Sequence, residues 1–207
     1  MPSTLGGARE RFGIPAKFVL VCNQLWRHKN HRVVIEATAL LKREGLQIPV
    51  VIVGLPLDNR DPSNSTVSEV LQLVAVNGLS SQILVLGQVD RGALIDLMRA
   101  AAVVLQPSLF EGWSTVVQDA LAIGRPLLCS DIPVHREQAG DRGGFFCPDQ
   151  PAALASSLRA MWAEVAPGPD LSAEERCLAR ERQFVRLHGQ GLIGLCEEAV
   201  AAVRGTA

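Results

Sequence analysis

The chain has 207 residues, a formal net charge of -1, 48% hydrophobic residues and 20% charged residues. That length suits one continuous core with an appended helical tail, and the composition supplies the apolar side chains for it while excluding a disordered chain. The near-neutral balance gives no general attraction to nucleic acid, so an anion site has to be local, and Arg27-His28-Lys29 is the basic run that stands out.

Residues 1–17 read as an N-terminal leader. From residue 18 onward, short β-branched runs alternate with segments of helical period, which predicts parallel strands joined by crossover helices. Strands are expected at 18–22, 49–53, 83–86, 103–106, 126–129 and 144–147, several of them apolar throughout, as suits strands covered on both faces. A helix over 31–44 carries Val33, Val34, Ala37, Leu40 and Leu41 on one face and stops at Gly45. Residues 56–65 are rich in Pro, Asp, Asn and Ser and read as a loop. Thr66-Val-Ser-Glu69 has the spacing of a capping box, opening a helix that ends near Gly78. Further helices are predicted at 91–101, 114–123, 134–139 and 150–164. Ala166-Pro-Gly-Pro-Asp170 then breaks the pattern, and Ser172 onward is helical in composition with no further strand. The expected fold class is α/β: a Rossmann-like parallel sheet with helices on both faces over 18–165, followed by a linker and helical tail over 166–207.

Five cysteines, odd in number and without a C-x-x-C pair, predict reduced core thiols rather than a disulfide framework or zinc knuckle. No apolar run approaches the roughly 20 residues that span a bilayer, and the first residues lack the pattern of a signal peptide. The chain reads as cytoplasmic, with any membrane association peripheral to the inner face or through a partner.

In an open parallel sheet, ligands bind beyond the carboxyl ends of the strands, where helix N-termini favour anions. The most unusual such turn here is 106–115, in which an acid and a glycine precede a Ser-Thr helix start. Open amides and hydroxyls beside a carboxylate suit a phosphate with an attached sugar.

The stretch 107–131, with Ser108-Leu-Phe-Glu111-Gly-Trp-Ser114-Thr115 and Asp119, resembles the donor-site signature of the retaining, GT-B-fold glycosyltransferases grouped as family 4. The resemblance extends through Asn23-Gln-Leu-Trp-Arg-His-Lys29, Ile52-Val-Gly54, Leu86-Gly-Gln-Val and Gly144-Phe-Phe, and so covers most of the chain. It implies that Glu111 holds sugar hydroxyls near the reacting carbon, and that the amides of Gly112, Trp113, Ser114 and Thr115 hold the diphosphate or sugar. By the same resemblance Asp119 binds ribose hydroxyls, and Lys29 neutralises the leaving diphosphate as charge develops on it. No cofactor or metal is implied beyond the nucleotide-sugar donor itself.

Two positions depart from the family pattern. Asp119 stands where the family has Glu, one methylene longer, and the neighbouring Gln118 could share its task. Gln24 stands where the family has Arg, which removes a fixed positive charge; Arg27 could substitute from the same loop. Each residue also has a plainer reading. Glu111 could be a loop acid favoured by a helix dipole, Asp119 a solvated helix residue, and Lys29 part of a charged corner with His28, His31 and Arg32. His28 and His31 have no Cys or carboxylate cluster beside them, so no metal site is expected. Trp26 and Trp113 read as buried hydrophobes. The first strand leads into Cys22-Asn-Gln-Leu rather than G-x-G-x-x-G, which disfavours dinucleotide binding.

A complete enzyme of the resembled type has two Rossmann-like halves, and this chain matches the donor-binding second. The crossover pattern begins within the first twenty residues, so the acceptor, a glycan or lipid-linked group, is expected to sit on an N-terminal half or a partner chain. The expected function is therefore the donor domain of a hexosyltransferase using a UDP- or GDP-sugar. Two alternatives stay open: a non-catalytic nucleotide-sugar-binding or scaffolding module, and a sugar-nucleotide epimerase of the same two-half fold.

Overall fold

A computed structural model of the chain describes residues 7–57, 63 and 65–205. Its main elements are α1 (Gly7–Arg11), β1 (Val19–Cys22), α2 (His31–Arg43), β2 (Val50–Val53), α3 (Ser65–Val76), β3 (Ile83–Gly87), α4 (Arg91–Ala100), β4 (Val103–Gln106), α5 (Thr115–Ala122), β5 (Leu127–Ser130), α6 (Pro133–Ala139), β6 (Gly144–Phe146), α7 (Pro151–Glu164) and α8 (Leu171–Gly205). All six strands pair in parallel, in the order β3-β2-β1-β4-β5-β6. The chain moves outward from β1 to β3 and then returns to lay β4 against the other side of β1. Between β1 and β4 the winding reverses, and a crevice opens there beyond the carboxyl ends of the strands.

Successive side chains on a strand point to opposite faces, and here both faces are apolar. Val19, Val21, Val50, Ile52, Val103 and Leu105 enter one core, which α2, α3 and α7 cover with residues such as Val34, Val70 and Leu158. Leu20, Val51, Val104, Leu127 and Cys129 enter the other, covered by Leu97 of α4, Val117 of α5 and Ala139 of α6. The Rossmann-like α/β architecture predicted from the alternation is the one observed.

Several local expectations differ. Part of the segment read as a leader is built into the fold: Ala8 of α1 and Ile14 are buried in the second core. The capping box does not form as spaced. Helix α3 already begins at Ser65, which places Thr66 inside its first turn, and Glu69 Oε1 accepts a 2.8 Å bond from Arg32 Nη1 of α2. Most of the loop expected at 56–65 lies outside the described residues. All five cysteines are free, as expected, but only Cys129 is buried in the core; Cys22, Cys147 and Cys177 are half-buried and Cys196 is exposed on α8.

The start of α8 is fastened to the sheet domain. Arg99 grips Glu174 with two hydrogen bonds of 2.8 and 2.7 Å, and the Gly168 amide donates to the Ala100 carbonyl at 3.1 Å. A Cβ on Gly168 would lie 1.8 Å from the Arg99 carbonyl oxygen, so this approach requires glycine. Farther along, Phe184, Val185, Leu187, Leu192, Ile193 and Leu195 are exposed.

Gly54 follows β2 at a point where a Cβ would stand 2.0 Å from the Asn23 carbonyl oxygen. Gly54→Ala should destabilise the fold by about 1–3 kcal/mol, seen as a lower urea midpoint at unchanged slope; an unaltered midpoint would mean the β1 loop yields freely. His31 opens α2 and is 2% exposed. Burial pushes its imidazole from the ordinary 6.5 down to about 4, against the Asn23 backbone and with help from the Lys29 charge. The folded state therefore favours the neutral ring, and its contribution is complete above pH 6.5 and is lost as pH falls towards 4. Over that window about 3 kcal/mol should disappear, and His31→Phe should make the acid limb of a stability–pH curve shallower; an unchanged limb would exclude His31 as its source.

Candidate active site

Two loops meet at the crevice between β1 and β4. The first leaves β1 through Asn23 and Gln24, makes a short 3-10 turn at Arg27–Lys29, and enters α2 through Asn30. Asn30 has φ 56, a left-handed conformation that asparagine tolerates better than most residues. Its side chain is the stitch between the loops, donating from Nδ2 to the carbonyls of Pro107 at 3.1 Å and Pro148 at 2.8 Å. The second loop leaves β4 at Gln106 and reaches α5 at Thr115; its Leu109 amide donates to the His28 carbonyl at 2.8 Å. Between them lies a cavity of about 200 Å³, whose lining includes Gln24, Lys29, Glu111, Trp113, Ser114 and Thr115.

Lys29 and Glu111, 82 positions apart in sequence, meet there with Nζ 2.6 Å from Oε1. Their side chains are only 15% and 10% exposed. The same oxygen accepts from Gln106 Nε2 at 2.8 Å and from Ser108 Oγ at 2.8 Å. Because a carboxylate only accepts, the Gln106 amide must turn its nitrogen to Glu111, and its Oε1 then accepts from Asn23 Nδ2 at 2.7 Å. Asn23, Gln106 and Ser108 are themselves buried. The carboxylate is thus held from below by polar side chains at the ends of two apolar strands.

A second layer holds Ser108. Ser130, the last residue of β5, donates its hydroxyl to the Ser108 carbonyl. His135 of α6 places Nδ1 3.1 Å from Ser130 Oγ and 3.0 Å from the Ser130 carbonyl. A carbonyl can only accept, so Nδ1 carries the proton. Nε2 is buried with no hydrogen-bond partner among the described residues, and burial lowers the imidazole pKa; both fit a neutral ring.

The other expected residues divide. Ser114 caps α5, its Oγ accepting from the Val117 amide at 3.4 Å. Its own amide, expected to face a ligand, donates instead to Gln138 Oε1 at 3.0 Å, while Gln138 Nε2 returns a 3.0 Å bond to the Ser114 carbonyl. Gly112 is exposed, and a Cβ there would meet nothing within 4 Å. Trp113, expected in the core, is 55% exposed at the cavity, because the turn into α5 carries it off the sheet; its Nε1 donates to Gln118 Oε1 at 3.2 Å. Trp26 is half-buried and also lines the cavity. Gln24 lines the cavity where the resembled family has arginine, whereas Arg27 is exposed and outside the lining. Asp119 is gripped by Arg91, whose Nη1 and Nη2 donate to its two oxygens at 2.7 and 2.8 Å.

Sequence reasoning missed Asn23, Gln106, Ser130, His135, Gln138 and Arg91. For three of them a signal existed: Asn23, Gln106 and Ser130 are polar residues at the carboxyl ends of apolar strands, where burial is expensive without a partner. Among the described residues no group of three or more His, Cys, Asp or Glu side chains could hold a metal ion, and no helix is long and apolar enough to cross a membrane.

A family model for the group 1 glycosyl transferases matches residues 8–164. The putative glycosyltransferase EpsF of Bacillus subtilis is 30% identical over 112 residues, which is 54% of this chain and 27% of that protein. Among solved structures, sucrose-phosphate synthase from Thermosynechococcus elongatus aligns with a TM-score of 0.67 and 23% identity over 90% of this chain and 49% of its own. The C-terminal domain of a group 1 glycosyl transferase, LpcC, from Francisella tularensis aligns with a TM-score of 0.62 and 19% identity, covering 85% of this chain and 88% of that domain. At these identities the structures show a shared fold, and this chain spans about half the length of the synthase. With more than half of its residues inside the family model, the chain belongs to the group 1 glycosyl transferases.

Proposed function

We propose that this chain is the donor-binding half of a retaining, family 4 type glycosyltransferase, which takes a UDP- or GDP-hexose and passes the hexosyl group to a glycan or lipid-linked acceptor held on another domain or chain. The observation that carries the reading is the meeting of Lys29 and Glu111 at the β1–β4 crevice. Cleaving the bond between sugar and diphosphate builds negative charge on the departing phosphate and positive charge on the sugar. A cation and an anion fixed side by side in a poorly hydrated crevice match that separation, with little reorganisation as the reaction proceeds.

In this reading Lys29 turns from Glu111 to the diphosphate when the donor enters. Glu111 stays where Gln106 and Ser108 hold Oε1, and offers Oε2 to hydroxyls of the donor sugar. With the Ser114 amide committed to Gln138, the amide contacts to phosphate fall to Gly112, Trp113 and Thr115. Gly112 has open space where a Cβ would be, which leaves room for a phosphate to approach the backbone. Asp119 takes the ribose hydroxyls, a task that the neighbouring Gln118 could share, and Arg27 could supply from the β1 loop the positive charge that Gln24 lacks. The reading calls for no metal and no cofactor beyond the donor, and places the chain in the cytoplasm, at most peripheral to the membrane.

The neutral Gln24 in the cavity favours one alternative, a module that binds nucleotide sugars without transferring them. Sugar transfer by the chain supplied with its acceptor-binding half, and lost in Glu111→Gln, would exclude it.

Ligands that bind only the folded state raise its stability, by about 2.7 kcal/mol at a hundred times Kd. Millimolar UDP- or GDP-hexose should therefore raise the melting temperature of the chain. Lys29→Ala should shrink the rise for both nucleotide diphosphates and their sugars, and Glu111→Gln should shrink it for the sugars alone. No rise with any of these ligands would contradict the proposal. Gly112→Ala should leave the ligand-free melting temperature unchanged while weakening the ligand-induced rise; an undiminished rise would move the phosphate away from this turn.

A further inference from the structure

Arg91 opens α4 and Asp119 lies in the second turn of α5, so the fork between them links two helices that begin at the carboxyl edge of the sheet. The arginine side chain is 64% exposed and the aspartate 22%, which makes the arginine the outer partner. Neither residue belongs to the cavity lining, but both helices begin at the carboxyl edge of the sheet beyond which the cavity opens, and Thr115, the first residue of α5, is part of that lining. An exposed pair adds little to stability, and its worth must be sought elsewhere.

Each carboxylate oxygen has two acceptor positions. A bidentate guanidinium takes one on each oxygen and fixes the plane of the group, leaving one acceptor on each. Two acceptors in a fixed plane suit the two adjacent hydroxyl donors of a ribose. Asp119 is a methylene shorter than glutamate, so a fixed orientation matters more for it than for a longer acid.

We propose that Arg91 is the positioning residue of a ribose-reading acid: it holds Asp119 so that the two remaining acceptor positions take the hydrogens of the 2′- and 3′-hydroxyls, and the site thereby prefers ribonucleotides to 2′-deoxyribonucleotides. The inference rests on the nucleotide-sugar reading above.

Calorimetric titration of the chain with UDP, GDP and their 2′-deoxy counterparts tests it. The parent should bind its preferred ribonucleotide about tenfold more tightly than the deoxy form, the value of one charge-assisted hydrogen bond. Arg91→Met should lower ribonucleotide affinity by about that factor, leave deoxynucleotide affinity and melting temperature unchanged, and so bring the ratio towards one. Arg91→Lys, which keeps the charge and loses the fork, should also reduce the ratio. A ratio preserved in Arg91→Met but lost in Asp119→Asn would overturn the role of the arginine. Equal binding of both forms by the parent would overturn ribose reading while leaving the diphosphate site in place. Failure of the parent to bind any of the four would instead sink the donor reading, and this inference with it.

Discussion

The contact between Lys29 and Glu111 is the constraint on which the rest of the crevice depends. Bringing two charges to 15% and 10% exposure carries a desolvation penalty that their mutual attraction offsets only if the remaining polar atoms are also satisfied. That requirement accounts for the polar side chains at the ends of otherwise apolar strands. Gln106 and Ser108 complete the Glu111 carboxylate, Asn23 orients Gln106, and Ser130 with His135 orients the backbone at Ser108. Removing one charge would strand the other in a place built for both.

The pair also joins the two loops on either side of the point where the sheet reverses its winding. Asn30 and the Leu109 amide tie those loops by their backbones, and Gln138 clamps the start of α5 from α6. The connections β1–α2, β4–α5, β5–α6 and β6–α7 thus converge on a small volume, carried by a sheet that is buried on both faces. A ligand entering there meets groups already in place. What it must change is the partner of Lys29, because that ammonium is engaged by the carboxylate in the ligand-free chain.

Much of this was legible in the sequence, because its physical basis is local. Apolar β-branched runs of four or five residues, each followed by a segment of helical period, specify parallel strands and crossovers, and their bounds fall within a residue or two of the observed ones. Glu111 can be singled out by its unusual strand-to-helix turn and Lys29 by the basic run that it ends, whereas their roles come only from the family resemblance. That the two touch is a consequence of β1 lying beside β4, which no single turn reveals. The misplaced features share a cause. Thr66 and Glu69 have the spacing of a cap, but Arg32 of a distant helix draws the glutamate away. The Ser114 amide looks available until α6 supplies Gln138, and Trp113 looks like core until the turn carries it outward. The exposed apolar residues of α8 could likewise be assigned to a helix from sequence, but not to the outside of this chain.

A bound nucleotide sugar must change the Lys29–Glu111 contact if this crevice is the donor site. Crystallisation of the chain with a UDP- or GDP-hexose tests it most directly. The diphosphate should lie within hydrogen-bonding distance of Lys29 Nζ, the contact with Glu111 Oε1 should be lengthened or broken, and the Glu111 carboxylate should lie against the sugar with Gln106 and Ser108 still bound to it. A nucleotide sugar seated away from the β1–β4 crevice, with Lys29 and Glu111 still paired, would contradict it.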